Sequence, residues 1–430
     1  MRVEFQNSSY ITDDTNALDS NTIFLKTAQN SKYYDKLDNK PKFITPKELI
    51  KEWGLNTLKI VGITGTNGKT TVSAGIYSIL IDLGERVALQ GTRGFFINDK
   101  RVDERSMTTP SILETLHNMK QAKDRDASYF IMEVSSHAIA QNRIEDIKFA
   151  LKVHTNVTQD HLDYHKTIEE YRAVKSSFFA DDTPKLLNKD EIKNITYNPK
   201  NAQSYGVDEP ATFKVQAFSL LNGITAGIKH LSKEATIYSP MVGLFNLFNI
   251  MASIGASVML TGKDIEEVAS QVSNFAGVAG RMEVINYNPM IIVDFAHTPD
   301  GMLKALDSMK DKDISVVFGA GGNRDRDKRA KMGRVASKFA KKVYITNDNP
   351  RDEKPEDIIQ DILNGIKDQS NVRAMVDRAF AISEAINELK EDEVLMILGK
   401  GDEPYQEING MKYPYNDKNI VAEIIKNRKS

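Results

Sequence analysis

Apolar and polar positions repeat with two different periods along this chain, and the changes of period mark its predicted strands and helices. A β-prone run from Leu58 to Thr64 leads into a glycine-rich turn, and apolar residues then recur every three to four positions as far as Leu83. This order of strand, loop and helix is the opening of an α/β unit. Further strands are predicted at residues 129–134 and 149–157, with a β-rich segment at about 213–240 and a helix at 246–260.

A second alternating region begins near Arg281. Its predicted strands span residues 291–294, 314–318, 343–346 and 394–398, and its predicted helices include residues 355–366 and 379–389. Each of these strands runs straight into polar or glycine-rich sequence. Because ligands bind at the carboxyl ends of the strands in open α/β sheets, this region is predicted to carry a binding face.

The chain is too long for one hydrophobic core, since it has 430 residues. We predict an α/β protein of three domains, with boundaries at residues 1–57, 58–279 and 280–430. The first segment contains a strand candidate at residues 22–25 and many polar turns. An N-terminal extension of the central domain is the alternative interpretation of that segment.

Composition narrows the functional classes. The formal net charge of −2 predicts neither nucleic-acid binding nor membrane binding. The absence of cysteine excludes disulfides, thiolate catalysis and cysteine-ligated metals. The N-terminus lacks the apolar stretch of a signal peptide, and no apolar run approaches the roughly 18 residues of a bilayer span. A cytoplasmic protein without membrane insertion is therefore expected.

A phosphate-binding loop is predicted between the first strand and helix of the central region. The segment reads Gly65, Thr66, Asn67, Gly68, Lys69, Thr70, Thr71. Glycines let backbone N–H groups approach phosphate oxygens, Lys69 can reach the terminal phosphates, and the Thr70 hydroxyl can ligate Mg²⁺. The glycine spacing departs from the generic pattern, because Ile63 stands five positions before Gly68. A tight strand-to-helix turn without ligand is the structural alternative.

Two further side chains are candidates for the metal. Glu133 ends the apolar run at residues 129–134, where a P-loop fold places an acidic residue beside the metal. His161 follows Asp160 in a polar segment. Because Mg²⁺ prefers oxygen ligands, the spacing by itself indicates only a polar loop residue at His161.

Five motifs follow one another in a fixed order. They are Gly-Thr-Asn-Gly-Lys-Thr-Thr at 65–71, Glu-Val-Ser-Ser-His at 133–137, Asp-His-Leu-Asp-Tyr-His at 160–165, Gly-Arg-Met-Glu at 280–283 and Asp-Asn-Pro-Arg at 348–351. In this order and spacing the chain resembles the Mur ligase family over about residues 58–410. The resemblance is closest to the members that add the third amino acid of the peptide.

The resemblance implies a UDP-binding N-terminal domain, a central ATPase domain and a Rossmann-like C-terminal domain. It implies a cytoplasmic, ATP-dependent reaction of peptidoglycan synthesis, in which meso-2,6-diaminopimelate is joined to UDP-N-acetylmuramoyl-L-alanyl-D-glutamate through an acyl phosphate. The expected partners are ATP, meso-2,6-diaminopimelate and the UDP-linked dipeptide. The expected cofactor is Mg²⁺, and the expected oligomeric state is a monomer.

The same resemblance implies the roles of individual residues. Catalytic roles fall to Lys69, Lys175, His161 and Glu133, and metal ligation to Thr70, Glu133, His161 and Lys175, with Lys175 carrying CO₂ as a carbamate. The ATP site would comprise Gly65, Thr66, Asn67, Gly68, Lys69, Thr70, Thr71, Asn246, Asn249, Arg281, Asp294 and His297. The UDP-linked dipeptide would contact Thr15, Thr108, Thr109, Ser135, Gln141 and Arg143. Diaminopimelate would contact Arg324, Asp348, Asn349, Pro350, Arg351, Gly399 and Glu403.

The sequence departs from the family at several places. The N-terminal segment is about half the usual length, and Asp14-Thr15-Asn16 stands where relatives have Asp-Ser-Arg. Position 402 is Asp where many relatives have His. Taken alone, Lys175 has the pattern of a helix-surface lysine.

Four other functions remain as alternatives. The nearest is a related ligase that adds L-lysine, and the next is a folylpolyglutamate synthetase-like ligase, against which the motifs at 280–283 and 348–351 weigh. The third is a P-loop switch or motor ATPase. A GTPase of that class would need an Asn-Lys-x-Asp guanine reader, and Asn188-Lys189-Asp190 has the wrong spacing. A non-catalytic binding protein would not need Lys69, Thr70 and Glu133 together.

Overall fold

The computed structural model describes residues 1–5, 9–38, 40–104, 107–221 and 223–429. The chain divides into two compact units. The first comprises residues 1–218, 225–239 and 248–275, and the second comprises residues 219–224, 240–247 and 276–430.

The N-terminal part of the first unit is a small sheet with two helices. Its elements are β1 (Arg2–Glu4), β2 (Tyr10–Thr12), β3 (Thr22–Leu25), α1 (Ser31–Tyr34), β4 (Phe43–Ile44) and α2 (Pro46–Glu52), with the strands in the order β1-β2-β3-β4. A capping box begins α2, because Thr45 and Glu48 satisfy each other's backbone N–H groups. Leu25, Leu49 and Trp53 belong to the same buried cluster as Ile60 of the following strand.

An eleven-stranded sheet forms the rest of the first unit. Its elements are β5 (Lys59–Thr64), α3 (Lys69–Asp82), β6 (Val87–Gly91), β7 (Gly94–Ile97), β8 (Lys100–Asp103), α4 (Ile112–Lys123), β9 (Tyr129–Glu133), α5 (Ser136–Ala140), β10 (Phe149–His154), α6 (Leu162–His165), α7 (Ile168–Ser177), β11 (Lys185–Asn188), β12 (Ala202–Gly206), β13 (Phe213–Ser219), β14 (Ile224–His230), β15 (Lys233–Ser239), α8 (Leu244–Thr261) and α9 (Ile265–Ala269). The strand order is β15-β14-β13-β12-β11-β10-β5-β9-β6-β7-β8. Strand β5 pairs in parallel with both β9 and β10, so the loops after these three strands emerge at one edge.

The second unit is a six-stranded sheet with helices. Its elements are β16 (Glu283–Tyr287), β17 (Met290–Asp294), α10 (Pro299–Asp307), β18 (Ile314–Phe318), α11 (Asp327–Phe339), β19 (Lys342–Ile345), α12 (Pro355–Leu363), β20 (Val372–Ala374), α13 (Arg378–Asn387), β21 (Val394–Leu398), β22 (Tyr405–Ile408), β23 (Met411–Pro414) and α14 (Asp417–Lys429). The order is β16-β17-β21-β18-β19-β20, and β22 pairs with β23 as a separate hairpin. All neighbours in the larger sheet are parallel except β16 and β17. Apolar residues of two clusters cover its faces.

The predicted elements are confirmed, with shifts of one to three residues at most of their ends. The predicted helix at 246–260 is α8, which begins two residues earlier and ends one later. This helix, Leu244–Thr261, is long and apolar enough to cross a membrane, judged by length and composition alone. The sequence pattern had predicted no segment of that kind. Within the described structure 67% of it is buried, and the core helix of a folded domain passes the same test.

A fully buried ion pair ties the C-terminal helix to the strand ends of the second unit. The Arg378 guanidinium donates to both carboxylate oxygens of Asp417 at 2.8 and 2.7 Å, and neither side chain is exposed. Its Nη1 donates to the Asn347 carbonyl at 3.3 Å, and Nη2, which also bonds to Asp417, donates to the Leu398 carbonyl at 3.0 Å. Every charge in this buried group therefore has a partner, as a dry interior requires.

Replacing Asp417 with Ala should destabilise the second unit by about 3–5 kcal/mol, because it leaves an uncompensated buried guanidinium. The matched control is Lys304→Ala, which removes the partly exposed pair with Asp300 and should cost about 0.5 kcal/mol or less. Both losses of stability are measured by unfolding in urea, with hydrogen exchange of the β17, β18 and β21 amides as the probe. A probe inside the second unit is needed because a chain of several units need not unfold in one step. A loss below about 1 kcal/mol for Asp417→Ala would contradict this account.

Candidate active site

The predicted phosphate loop lies between β5 and α3. Gly68 precedes the helix with φ 85°, a left-handed conformation that favours glycine. The Lys69 ammonium folds back over the loop and donates to the carbonyls of Gly65 at 2.8 Å and Thr66 at 2.9 Å. The N-terminus of this helix favours an anion, because the helix dipole and the backbone N–H groups of a first helical turn both attract negative charge.

The segment after β10 holds this loop in place. Asn156 accepts from the Asn67 N–H at 2.9 Å and donates to the Asn67 carbonyl at 3.1 Å. The Thr155 hydroxyl donates to the same carbonyl at 2.6 Å. The hydroxyl of Thr66 lies 2.9 Å from that of Tyr171. Sequence analysis assigned none of these supporting roles, although Asn156 stands four residues before the Asp-His motif.

Glu133 lies beside the phosphate loop because β9 pairs with β5 and brings it level with Ile63. Its carboxylate is 1% exposed and accepts from the Thr70 hydroxyl at 3.0 Å. Thr92, which follows β6, donates to it through its N–H at 2.8 Å and its hydroxyl at 3.2 Å. Sequence analysis missed Thr92, since only the pairing of β6 with β9 brings it here.

The group formed by Thr70 and Glu133 fits Mg²⁺. Both side chains offer oxygen, and Mg²⁺ is commonly bound through one or two carboxylates together with substrate phosphates. Among the residues that the structure describes, no cluster of three or more His, Asp or Glu side chains forms a metal site by itself. This side of the loop thus suits a metal whose remaining ligands come from a phosphate and from water.

Lys175 is buried, in contrast to the helix-surface position that its local pattern indicates. It lies on α7, is 1% exposed, and donates to the Gly65 carbonyl at 2.9 Å and towards the Thr64 hydroxyl at 3.4 Å. Burial lowers the pKa of Lys175 well below its usual value, and the nearby charge of Lys69 lowers it further. Two lysine side chains therefore share the Gly65 carbonyl.

His161 begins α6 with φ 53° and its ring lies 3.4 Å from the Asp160 carboxylate. Burial lowers the pKa of His161, with Asp160 acting in the opposite direction and His137 in the same direction. Its imidazole ring is therefore neutral near pH 7 and able to act as a ligand.

Five of the residues implied for the UDP-linked dipeptide are linked by hydrogen bonds near the C-terminal end of β9. The Thr109 hydroxyl donates to the Glu133 carbonyl at 2.9 Å and accepts from the Ser135 N–H at 2.9 Å. Arg143 donates to the side-chain oxygen of Gln141 at 2.6 Å and to the Thr109 carbonyl at 3.0 Å. The Thr108 hydroxyl lies 3.1 Å from that of Thr92. These side chains therefore lie on the same side of the sheet edge as Glu133.

The remaining candidates in the first part of the chain are less closely connected. Asn249 contacts the phosphate loop, since a β-carbon on Gly68 would stand 2.5 Å from its side-chain oxygen. Asn246 lies three residues earlier in α8, is 2% exposed, and donates to the Val242 carbonyl at 2.8 Å. Thr15 begins a short 3₁₀ helix capped by Asp14.

In the second unit, Asp294 ends β17 and organises the turn around it. Its carboxylate accepts from the N–H groups of Met282 at 2.8 Å and Ala296 at 2.7 Å. Burial raises the pKa of Asp294, and the neighbouring Arg281 opposes this. The Arg281 guanidinium lies over the Phe295 ring at 4.3 Å, and the His297 ring lies 2.9 Å from the Phe295 carbonyl.

The loops after β18, β19 and β21 bring together the residues implied for diaminopimelate. The Arg351 guanidinium donates to Glu407 at 3.1 Å and to the Gly322 carbonyl at 2.8 Å, and its backbone has φ 51°. A non-glycine residue in this conformation is strained, and such strain often marks a functional loop. Asn349 donates to Glu403 at 2.9 Å.

The other residues implied for diaminopimelate lie in the same three loops, after β18, β19 and β21. A β-carbon on Gly399 would stand 2.6 Å from the Asp348 carboxylate, and Gly322 lies against the Pro350 backbone. Arg324 extends from an exposed position near Gly321. Sequence analysis missed Lys400 and Glu407, because Lys400 resembles a loop lysine and Glu407 lies in the separate hairpin.

Comparisons with known proteins agree with this geometry. Residues 63–257 match the model of the Mur ligase middle domain, and residues 280–401 match that of the Mur ligase, glutamate ligase domain. A UDP-N-acetylmuramoyl-L-alanyl-D-glutamate--2,6-diaminopimelate ligase from Wolinella succinogenes is 47% identical over 96% of this chain and 95% of its own length. The chain belongs to the Mur ligase family. Mur ligases are ATP-dependent ligases, so this chain is an ATP-dependent ligase.

Other relatives support the same family. A ligase with the same name from Helicobacter pylori is 45% identical over 98% of this chain and 96% of its own length. A solved structure of an enzyme with that name has a TM-score of 0.68 at 28% identity, over 98% of this chain and 95% of that one. Folylpolyglutamate synthase of Mycobacterium tuberculosis has a TM-score of 0.66 at 17% identity, covering 82% and 91%, which is a likeness of fold alone.

Lys69→Ala should reduce ATP-dependent ligation by about 10³-fold or more while leaving the fold intact. The change removes the ammonium beside the Gly65 carbonyl, and phosphoryl transfer depends on such positioned charge. Phosphate release measures the loss, circular dichroism checks the fold, and Lys120→Ala, which removes an exposed lysine paired with Asp124, is the control. Near-normal turnover by folded Lys69→Ala would refute the role of this loop.

Proposed function

We propose that this Mur ligase joins meso-2,6-diaminopimelate to UDP-N-acetylmuramoyl-L-alanyl-D-glutamate in cell-wall synthesis. The observation that carries the substrate assignment is the group of Arg351, Asn349 and Glu403 at the strand ends of the second unit. The names of the relatives from Wolinella succinogenes and Helicobacter pylori support the same substrates.

The reaction has two steps. An oxygen of the glutamate carboxylate attacks the terminal phosphorus of ATP, so that an acyl phosphate forms and ADP leaves. The amine of diaminopimelate then attacks the acyl carbon, the tetrahedral intermediate expels phosphate, and the nitrogen loses a proton. We assign Lys69 to the ATP phosphates, and Thr70 and Glu133 to Mg²⁺, which would neutralise charge on the transferring phosphoryl group.

The remaining site residues are assigned by the same proposal. The nucleotide falls to the phosphate loop with Asn246, Asn249, Arg281, Asp294 and His297. The UDP-linked dipeptide falls to Thr15, Thr108, Thr109, Ser135, Gln141 and Arg143, and diaminopimelate also to Arg324, Asp348, Pro350 and Gly399. We assign these roles to domains at residues 1–57, 58–279 and 280–430 of a monomeric cytoplasmic enzyme.

The choice of diaminopimelate over L-lysine depends on the far end of the amino acid. Diaminopimelate carries a second carboxylate there, and a planar guanidinium grips a carboxylate better than an ammonium does. Arg351 is held by Glu407 and the Gly322 carbonyl, which fixes the guanidinium in one orientation. Glu403 is suited to the distal ammonium. An enzyme for L-lysine would not need this arginine.

The enzyme should prefer meso-diaminopimelate to L-lysine strongly, by up to about 10⁴-fold in kcat/KM, and Arg351→Ala should lose most of that preference. L-lysine lacks the distal carboxylate, so its binding would leave the Arg351 guanidinium without that partner. Arg326→Ala, which removes an exposed arginine paired with Asp361, is the control. Mass spectrometry of the product with each amino acid measures the ratio. Equal or better use of L-lysine by the unmutated enzyme would overturn the substrate and leave the ligase activity standing.

We further propose that Lys175 carries CO₂ as a carbamate. The reaction needs a neutral amine, which adds CO₂ and releases a proton, and a buried lysine with a lowered pKa supplies one. The Lys175 and Lys69 ammonium groups donate to the same carbonyl, so conversion of one cation to an anion would relieve their repulsion. A carbamate also adds oxygen ligands that suit Mg²⁺. We assign His161 to the same metal site.

Lys175→Ala should be nearly inactive and should recover partial activity in the presence of a short carboxylate such as acetate. Carbon NMR with ¹³C-bicarbonate should show a carbamate in the unmutated enzyme that is absent from the variant. Lys185→Ala is the matched control, because Lys185 is fully buried and donates to the carbonyls of Asp181 and Lys200, away from the phosphate loop. No carbamate signal, together with full activity of Lys175→Ala, would refute the modification.

A further inference from the structure

A buried ammonium lies between two of the residues assigned to diaminopimelate. The Lys400 side chain has no exposed surface and donates to Asn349 at 3.0 Å and to Glu403 at 2.9 Å. We propose that Lys400 is a positioning residue, which fixes Asn349 and Glu403 for the distal amino group of the incoming amino acid and so sets selectivity for that group. The inference rests on the function proposed above.

The backbone at the end of β21 directs Lys400 inward. Gly399 and Gly401 flank it with φ 113° and φ 53°, both in the left-handed region. A β-carbon on Gly399 would stand 2.6 Å from the Asp348 carboxylate, so a larger residue is excluded there. This double-glycine turn therefore reverses the chain just after the strand and buries a lysine that would otherwise extend into solvent.

Lys400 decides which way the Asn349 amide faces. The amide oxygen accepts from the Lys400 ammonium and from the Glu407 N–H at 2.9 Å, while its nitrogen donates to Glu403 at 2.9 Å. An ammonium is a donor only, so a rotated amide would set its NH₂ group against two donors. Without Lys400, one of the two hydrogen bonds that the amide oxygen accepts is lost.

Lys400 also determines which oxygen of Glu403 faces a ligand. Within the described part of the chain, the hydrogen bonds from Lys400 and Asn349 both fall on Oε2. Oε1 is left for a donor supplied by the substrate. The distal ammonium of diaminopimelate is such a donor, whereas an analogue with hydrogen in its place gains nothing from Glu403.

The test compares meso-diaminopimelate with 2-aminopimelate, which keeps the distal carboxylate and lacks the distal amino group. In Lys400→Gln the ratio of kcat/KM between these two substrates should fall roughly 10- to 100-fold, the effect of losing a hydrogen bond to a charged group. The KM values for ATP and for the UDP-linked dipeptide should stay within about twofold. Lys400→Arg, which restores a cationic donor, should recover part of the ratio.

The matched control is Lys152→Gln, because Lys152 is a buried lysine paired with Asp181 at 2.6 Å in the first unit. It should lower the melting temperature and leave the substrate ratio unchanged. If Lys400→Gln does not fold, Lys400→Met takes its place, since Glu403 is partly exposed and keeps its hydrogen bond from Asn349.

An unchanged ratio in folded Lys400→Gln, or in folded Lys400→Met, would overturn the inference. A purely structural lysine would give that result, with equal losses for both amino acids. If the unmutated enzyme does not ligate diaminopimelate at all, the proposed function itself fails and the inference fails with it.

Discussion

Cationic side chains that donate to backbone carbonyls hold the loops at the strand ends in both units. In the first unit Lys69 and Lys175 meet at the Gly65 carbonyl. In the second, Arg378 reaches the carbonyls of Asn347 and Leu398, just before the two loops assigned to diaminopimelate. A carbonyl buried at a strand end needs a donor, and these side chains supply one.

These cations have different chemical consequences. Asp417 neutralises Arg378 completely, so that group stabilises a fixed geometry. Burial lowers the pKa of Lys175 and the neighbouring Lys69 lowers it further, so the neutral form of Lys175 is favoured. Lys400 is paired with the Glu403 carboxylate and also donates to the neutral amide of Asn349. A buried cation thus supports a loop at Arg378, and we propose that one serves a modification at Lys175 and substrate selectivity at Lys400.

The fold could be predicted well from the sequence because its strands and helices carry clear periods. The strands at 22–25, 314–318 and 394–398 were predicted to the residue, and the helix at 246–260 to within two residues. The end of β10 was predicted less accurately, because the predicted strand includes residues 155–157, which follow β10. Thr155 and Asn156 there bond to Asn67 of the phosphate loop and Val157 is buried, so the local pattern could not separate the strand from the loop that follows it.

The sequence by itself determined the chemistry, because glycine spacing, the lysine and threonine of the phosphate loop and the Asp-Asn-Pro-Arg segment are local patterns. It also determined the order of elements along the chain. Only the tertiary structure decided which distant residues meet. Thr92 reaches Glu133 through the pairing of β6 with β9, and Lys400 reaches Asn349 through the neighbouring ends of β18, β19 and β21. Contacts of this kind depend on strand order and register, and the burial of Lys175 likewise depends on how α7 packs against the phosphate loop.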